Sequence, residues 1–245
     1  MTRLMNPSRL ASEFRKNGYC LIPDAIAPET VEDLRHACDT MVSDPNRAER
    51  RQGRHKIDVG DKRLFLSHRH EEFPAVEAFL MAGPVADLAR TLLGPAPCLF
   101  NEQFVFKAAG AGSSFAWHQD SGYVGFDHPP YLTLWCALDD ATLDNGCIHV
   151  LPRDLAKDTD VNAHVWDEAG KELVGYDGDQ VGVAVPCEAG SIIAFSSVTL
   201  HRSGSNKTER PRRAYVCQYS AAPILRPETG VPLNYAKPLP IPSSA

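Results

Sequence analysis

The sequence predicts a mainly β fold with N-terminal helices: a double-sheet jelly-roll core with α-helices packed on one side. Three observations predict it. Helical spacing of apolar residues holds to about residue 95, the period falls to two from Cys98 onward, and about eight short strand candidates follow. At 245 residues, 43% hydrophobic and 23% charged, the chain suits one substantial core. It reads as a single domain, with a helical part at about 1–95, a jelly-roll core at about 96–222 and an extended tail at 223–245.

The elements follow in order. Asn6 caps a first helix, Pro7 opens it, and Gly18 ends it after Arg15 and Lys16. Tyr19–Pro23 is a short apolar strand. Pro28 to Val42 places Val31, Leu34, Cys38, Met41 and Val42 at helical spacing, a second helix. Glu72–Met81 and Pro84–Leu93 are two more, the last closed by Gly94. Strands are expected at Cys98–Lys107, around Trp117 and His118, and at Tyr131–Leu138, Cys147–Leu151, Val183–Cys187, Ser191–Phe195, Thr199–Ser203 and Arg212–Ser220. Asn145-Gly146 is a tight-turn signal. Two long connections, Ser43–Arg63 and Asp154–Gln180, are expected to act as lids or insertions. The basic residues of the first read as a solvated loop.

Composition narrows the function. A net charge of −6 without a dominant basic face argues against a nucleic-acid partner. No stretch approaches about eighteen consecutive apolar residues, and MTRLMNPSRL lacks an apolar signal core, so the expectation is a cytoplasmic protein with no membrane partner. The seven cysteines, an odd count without CxxC spacing, read as reduced, buried thiols. Monomer and homodimer are both open.

Three residues carry the chemistry. His118 and Asp120 in WHQD are two apart, so on a strand they project to one face. His201 in TLHRSGSN comes from a distant strand. Two imidazoles and one carboxylate are the facial-triad ligand set, which holds Fe(II) and leaves positions open for a co-substrate and oxygen. Each part alone is weak: an HxD tripeptide often sits on a surface turn, and a lone histidine in an apolar strand is usually core. The order and context of all three favour a metal site. Arg212 is an anchor for a dicarboxylate, with Ser203 on the face of His201 by strand parity. Of the adjacent pair, Arg213 is the one expected on the exposed side.

Together the segments LFNEQFVFK, WHQDSGY, YLTLWCALDDATLDNGCIHVLP and GSIIAFSSVTLHRSGSNKTERPRRAYV resemble the phytanoyl-CoA dioxygenase family of Fe(II)/2-oxoglutarate oxygenases. GYCLIPDAI near the start is similar too, so the resemblance runs from about Gly18 to Ser220. It implies a double-stranded β-helix (jelly-roll, cupin-like) core flanked by α-helices, with iron on His118, Asp120 and His201, and the C5 carboxylate of 2-oxoglutarate on Arg212 and Ser203. It also implies O2 as co-substrate and carries Trp135, Gln103 and Lys62 to the co-substrate pocket; Asn101 shares the face of Gln103. One departure stands out: where the family often reads PGSH, this chain has Leu151-Pro152-Arg153-Asp154. The motifs do not support an acyl-CoA substrate. The expected reaction is hydroxylation of an unactivated C–H bond of a small-molecule metabolite, with release of succinate and CO2. The alternatives are desaturation, cyclisation or epimerisation on the same cofactors, and a non-catalytic jelly-roll metal-binding module. Asp120 disfavours halogenation, which needs its place for halide.

Overall fold

The computed structural model describes residues 6–47, 49, 57–110 and 113–241. In chain order its elements are α1 (Pro7–Asn17), β1 (Tyr19–Ile22), α2 (Pro28–Ser43), β2 (Arg63–Ser67), α3 (Pro74–Met81), α4 (Gly83–Leu93), β3 (Cys98–Lys107), β4 (Phe115–His118), β5 (Leu132–Ala137), β6 (Ile148–Val150), β7 (Val165–Asp167), β8 (Glu172–Val174), β9 (Val183–Val185), β10 (Ile192–Ser196), β11 (His201–Ser203), β12 (Arg212–Ser220) and β13 (Lys237–Pro238).

Among the described residues the strands form a seven-stranded sheet in the order β1-β10-β5-β12-β3-β13, with β2 also on β3, and a four-stranded sheet β4-β11-β6-β9. β7 and β8 make a separate hairpin. Between β3 and β12 the chain passes repeatedly from the large sheet to the small one and back. That is the double-stranded β-helix.

The period of two decides which face each side chain takes. On β5, β10 and β12, Leu132, Leu134, Cys136, Ile192, Ala194, Tyr215, Cys217 and Tyr219 face outward, where they meet Val31, Leu34, Cys38 and Met41 of α2 and the apolar sides of α3 and α4. The intervening Trp135, Ala137, Ile193, Phe195, Ala214 and Val216 face inward against Ile148, Val150 and Val185 of the small sheet. Helices therefore cover one face of the large sheet, and the other face lines the barrel interior.

Local signals explain the entry. Asn6 Oδ1 accepts from Ser8 N at 3.0 Å, Pro7 opens α1, and Gly18 at φ 75° ends it. A Cβ on Gly18 would come within 2.7 Å of Thr199 Oγ1 and 3.1 Å of Arg153 O, so glycine is needed for space as well as for its dihedral.

Several boundaries differ from expectation. Pro23, Leu151 and Cys187 fall just outside their strands, and Glu72 lies in a 3-10 turn before Pro74 starts α3. β2 is not among the expected strands; only its first residue, Arg63, falls in an expected element, the end of the long connection. The connection 154–180 is built around the β7–β8 hairpin, whose turn is stapled by Asp167 accepting from Ala169 N and Gly170 N at 3.0 and 2.9 Å. Part of the first expected lid, residues 48 and 50–56, lies outside the described residues, as do 242–245 of the tail. Within the tail, Lys237–Pro238 add β13 to the edge of β3. All seven cysteines are free, and only Cys187 is not fully buried. No helix among the described residues is long and apolar enough to cross a membrane.

Candidate active site

β4 and β11 bring the two halves of the motif together, because His118 and His201 are direct register partners. Their ring centroids are 4.1 Å apart. Asp120 follows as the chain leaves β4, and its Oδ1 stands 3.6 Å from Nε2 of both rings. One donor atom from each residue lies within 4.8 Å of the others. Each ring is held by a carbonyl two residues back: His118 Nδ1 meets Ala116 O at 2.8 Å, and His201 Nδ1 meets Thr199 O at 3.0 Å. A carbonyl only accepts, so both Nδ1 atoms carry a proton, and both Nε2 atoms face Asp120 Oδ1.

The far oxygen of Asp120 is held as well. Oδ2 accepts from Thr133 Oγ1 at 2.6 Å and from Gln218 Nε2 at 2.9 Å. Burial pushes this carboxyl up, yet His201, His118 and the Thr133 hydrogen bond outweigh it and hold it down at about 2. Burial, with His118 alongside, lowers His201 to about 4, so that ring is neutral near pH 7. Two neutral imidazole nitrogens and one carboxylate oxygen fit Fe(II) as donors. Gln119 points away, as parity requires. Its Nε2 donates to Val198 O and Asp160 O at 2.6 and 2.8 Å, which ties the 154–162 segment to the strand.

The other end of the same cavity is cationic. Lys107 on β3 pairs with Arg63 on one side and Arg212 on the other, a row across three adjacent strands. All three are buried at 1% exposure or less. Arg63 meets Glu172 of the hairpin at 2.9 Å and donates to Ile57 O and Gly170 O at 3.0 and 2.8 Å. It thereby clasps both long connections to each other. Lys107 Nζ donates to Ser203 Oγ at 2.8 Å and to Gly204 O. Arg212 lies with its guanidinium carbon 5.3 Å from the Trp135 ring, and among the described residues none of its three side-chain nitrogens has a hydrogen-bond partner. Burial lowers Arg212 to about 10, so it stays charged at neutral pH. Burial, then Arg212 and Arg63, drives Lys107 well below the usual lysine range. Arg213 takes the opposite face, with a two-pronged grip on Asp139 and a bond to Asp39.

His118, Asp120, His201, Arg212, Ser203, Trp135, Gln103 and Asn101 all line this cavity. Lys62 does not. It is exposed in the turn before β2, where its N–H donates to Val59 O, and the strand that faces the cavity begins one residue later. The lysine inside is Lys107, reachable by counting alternate positions along β3 from Asn101 and Gln103. Asn101 is not at the cationic end either: six residues along β3 from Lys107 is roughly 20 Å, and it bonds Gln218 Oε1 at 2.9 Å, beside the metal carboxylate. Gln103 lies between them, its Oε1 accepting from Ser67 at 3.2 Å. No local signal marked Arg63, whose partner Glu172 is 109 residues away.

Known proteins resemble this chain in sequence and in fold. The family model for phytanoyl-CoA dioxygenase (PhyH) matches residues 14–214. The chain belongs to the phytanoyl-CoA dioxygenase family, a family of Fe(II)/2-oxoglutarate-dependent oxygenases. A methylphosphonate hydroxylase from Gimesia maris is 26% identical over 226 residues, covering 90% of this chain and 83% of that protein. A phytanoyl-CoA dioxygenase from Arabidopsis thaliana is 29% identical over 155 residues; the match takes in 60% of this chain and about half, 52%, of the relative. Among solved structures, EvdO2 from Micromonospora carbonacea var. aurantiaca, complexed with 2-oxoglutarate, shares the fold at a TM-score of 0.71 and 24% identity, covering 99% of this chain and 98% of that one.

Proposed function

We propose that this family member hydroxylates an unactivated C–H bond of a small-molecule metabolite, converting 2-oxoglutarate to succinate and CO2. Arg212 carries the reading. A charged guanidinium that is wholly buried yet unpartnered is costly, and a bound carboxylate relieves that cost. It shares its cavity with a metal-ready triad, a combination that a non-catalytic metal-binding module does not need.

Fe(II) held by His118 Nε2, His201 Nε2 and Asp120 Oδ1 would supply, with 2-oxoglutarate and O2, the oxidising power to break the C–H bond. The chain's own groups place the reactants. Arg212 grips the distal carboxylate of 2-oxoglutarate. Ser203 Oγ already accepts from Lys107, which frees its own proton for the same carboxylate. Trp135 walls this end beside Arg212 and excludes water. The Gimesia relative, which matches most of this chain, is a hydroxylase by name, and this favours hydroxylation over the other outcomes of the same chemistry.

Aerobic incubation with Fe(II), 2-oxoglutarate and a metabolite panel tests the proposal. Succinate should form in step with a product that gains one oxygen. A product of unchanged mass would mean epimerisation, and one lacking two hydrogens desaturation or ring closure. Failure of 2-oxoglutarate to bind the Fe(II)-loaded protein would remove the oxygenase reading.

A further inference from the structure

The metal carboxylate is the end of a hydrogen-bonded chain that the reaction, as described, does not use. Gln218 Nε2 donates to Asp120 Oδ2 at 2.9 Å, and Gln218 Oε1 accepts from Asn101 Nδ2 at 2.9 Å. Asn101 Oδ1 in turn lies 2.6 Å from His68 Nε2. His68 stands just past the end of β2 with its backbone at φ 61°, its ring 4.9 Å from that of Tyr235, and it lines the cavity.

The polarity of every link follows from the first. An ionised carboxylate only accepts, so Gln218 must turn its NH2 toward Asp120 and its carbonyl toward Asn101. Asn101 must then present its NH2 to Gln218 and its carbonyl to His68. His68 is left with the proton on Nε2 and a lone pair on Nδ1. A charge at the metal thus fixes the tautomer of a residue three links away.

We propose that His68 and Asn101 are positioning residues for the metal carboxylate, acting through Gln218, and that His68 is the acceptor that a substrate meets in this part of the cavity. The chain holds Asp120 Oδ2 so that Oδ1 stays aimed between the two Nε2 atoms. A substrate group docked on His68 Nδ1 must donate, through an O–H or N–H, and its contact is transmitted to the metal ligand. This rests on the metal assignment of the proposed function.

Anaerobic titration with Co(II), followed by 2-oxoglutarate, reads the relay through the visible absorption of the metal, independently of turnover. Partners that orient metal ligands typically contribute roughly ten- to a hundredfold in affinity. Gln218→Met should weaken Co(II) binding about tenfold, with Asn101→Leu and His68→Gly following at several-fold. All three should shift the absorption bands of the Co(II)–2-oxoglutarate complex. Glycine suits a positive φ, so His68→Gly keeps the backbone content while removing the ring. Asn101→Asp is the sharpest probe: it keeps the shape but faces Gln218 with an acceptor only, so it should disturb the bands at least as much as Asn101→Leu. If His118→Ala binds Co(II) as well as the native protein, the metal site itself is wrong and the relay goes with it. If His118→Ala loses Co(II) while His68→Gly and both Asn101 variants match native affinity and bands, the relay alone is overturned.

Discussion

At the triad end of the cavity the spare polar atom of each candidate ligand already has a partner, whereas at the cationic end Arg212 has no hydrogen-bonded partner among the described residues. The histidines are fixed by Ala116 and Thr199, and Asp120 by Thr133 and Gln218, so the ligand geometry exists before any ion arrives. The cationic row is graded instead. Arg63 is neutralised by Glu172, Lys107 is satisfied by Ser203 and Gly204, and Arg212 is left over. One end is preorganised by hydrogen bonds; the other is a buried charge without a hydrogen-bonded partner among the described residues, for which a bound carboxylate is the proposed partner. Binding at the two ends should therefore show different energetic signatures in the free protein.

The largest expected effect is at the preorganised end. His118→Ala or Asp120→Ala should abolish Fe(II) binding and turnover while circular dichroism shows the fold retained. Turnover by either variant would refute the triad. Next comes the paired member of the row. Arg63→Met leaves Glu172 as a buried carboxylate without its cation, and breaking such a pair costs about 3–5 kcal/mol. Urea unfolding should show that loss, and limited proteolysis should cut within 154–180 faster than in the native protein. A stability change below about 1 kcal/mol, the range of an exposed pair, would mean that the clasp is ornamental.

Arg212→Met reverses the pattern. It removes a buried charge that has no hydrogen-bonded partner among the described residues, so the ligand-free protein should melt no lower than native, and a neutral side chain of similar volume often stabilises such a site. The same variant should raise the 2-oxoglutarate requirement about ten- to a hundredfold, from the roughly 1.5–3 kcal/mol of a charge-assisted hydrogen bond. 2-Oxoglutarate should also cease to raise its melting temperature. A variant that melts well below native would show that Arg212 has a structural partner, and the contrast between the two ends would collapse.

What the sequence revealed follows the same division. The bounds of β3 and β12 were readable because each is a long alternating run between turn residues. The triad was readable because HxD spacing and strand parity are local properties. The sides taken by Arg212 and Arg213 also follow from parity alone. Arg63 with Glu172, and His68 with Asn101 and Gln218, were not readable, since such pairs depend on which strands become neighbours and in what register. Lys62 came from the resemblance alone, while Lys107 shares the strand face of Asn101 and Gln103 and lines the cavity, so the face of a strand is the better guide. The β7–β8 hairpin was hidden in a connection whose acidic residues read as a lid or insertion, though Glu172 is buried and paired.

Arg213→Ala should have the smallest effect, and it tests the comparison most finely. Arg213 differs from Arg212 by one position, so it projects to the outer face, where it grips Asp139 through two nitrogens at 2.9 Å and reaches Asp39 at 2.8 Å. Its loss leaves neither carboxylate stranded. Asp39 is mostly exposed, and Asp139 still accepts from the backbone N–H of residue 213 at 2.7 Å and faces Arg35 at 3.4 Å. The cost should stay within about 1 kcal/mol, and the 2-oxoglutarate requirement should not change. A 2-oxoglutarate effect in Arg213→Ala as large as that in Arg212→Met would mean that the anion is felt through the sheet rather than bound by one face of it. The unpartnered guanidinium would then not be the receptor.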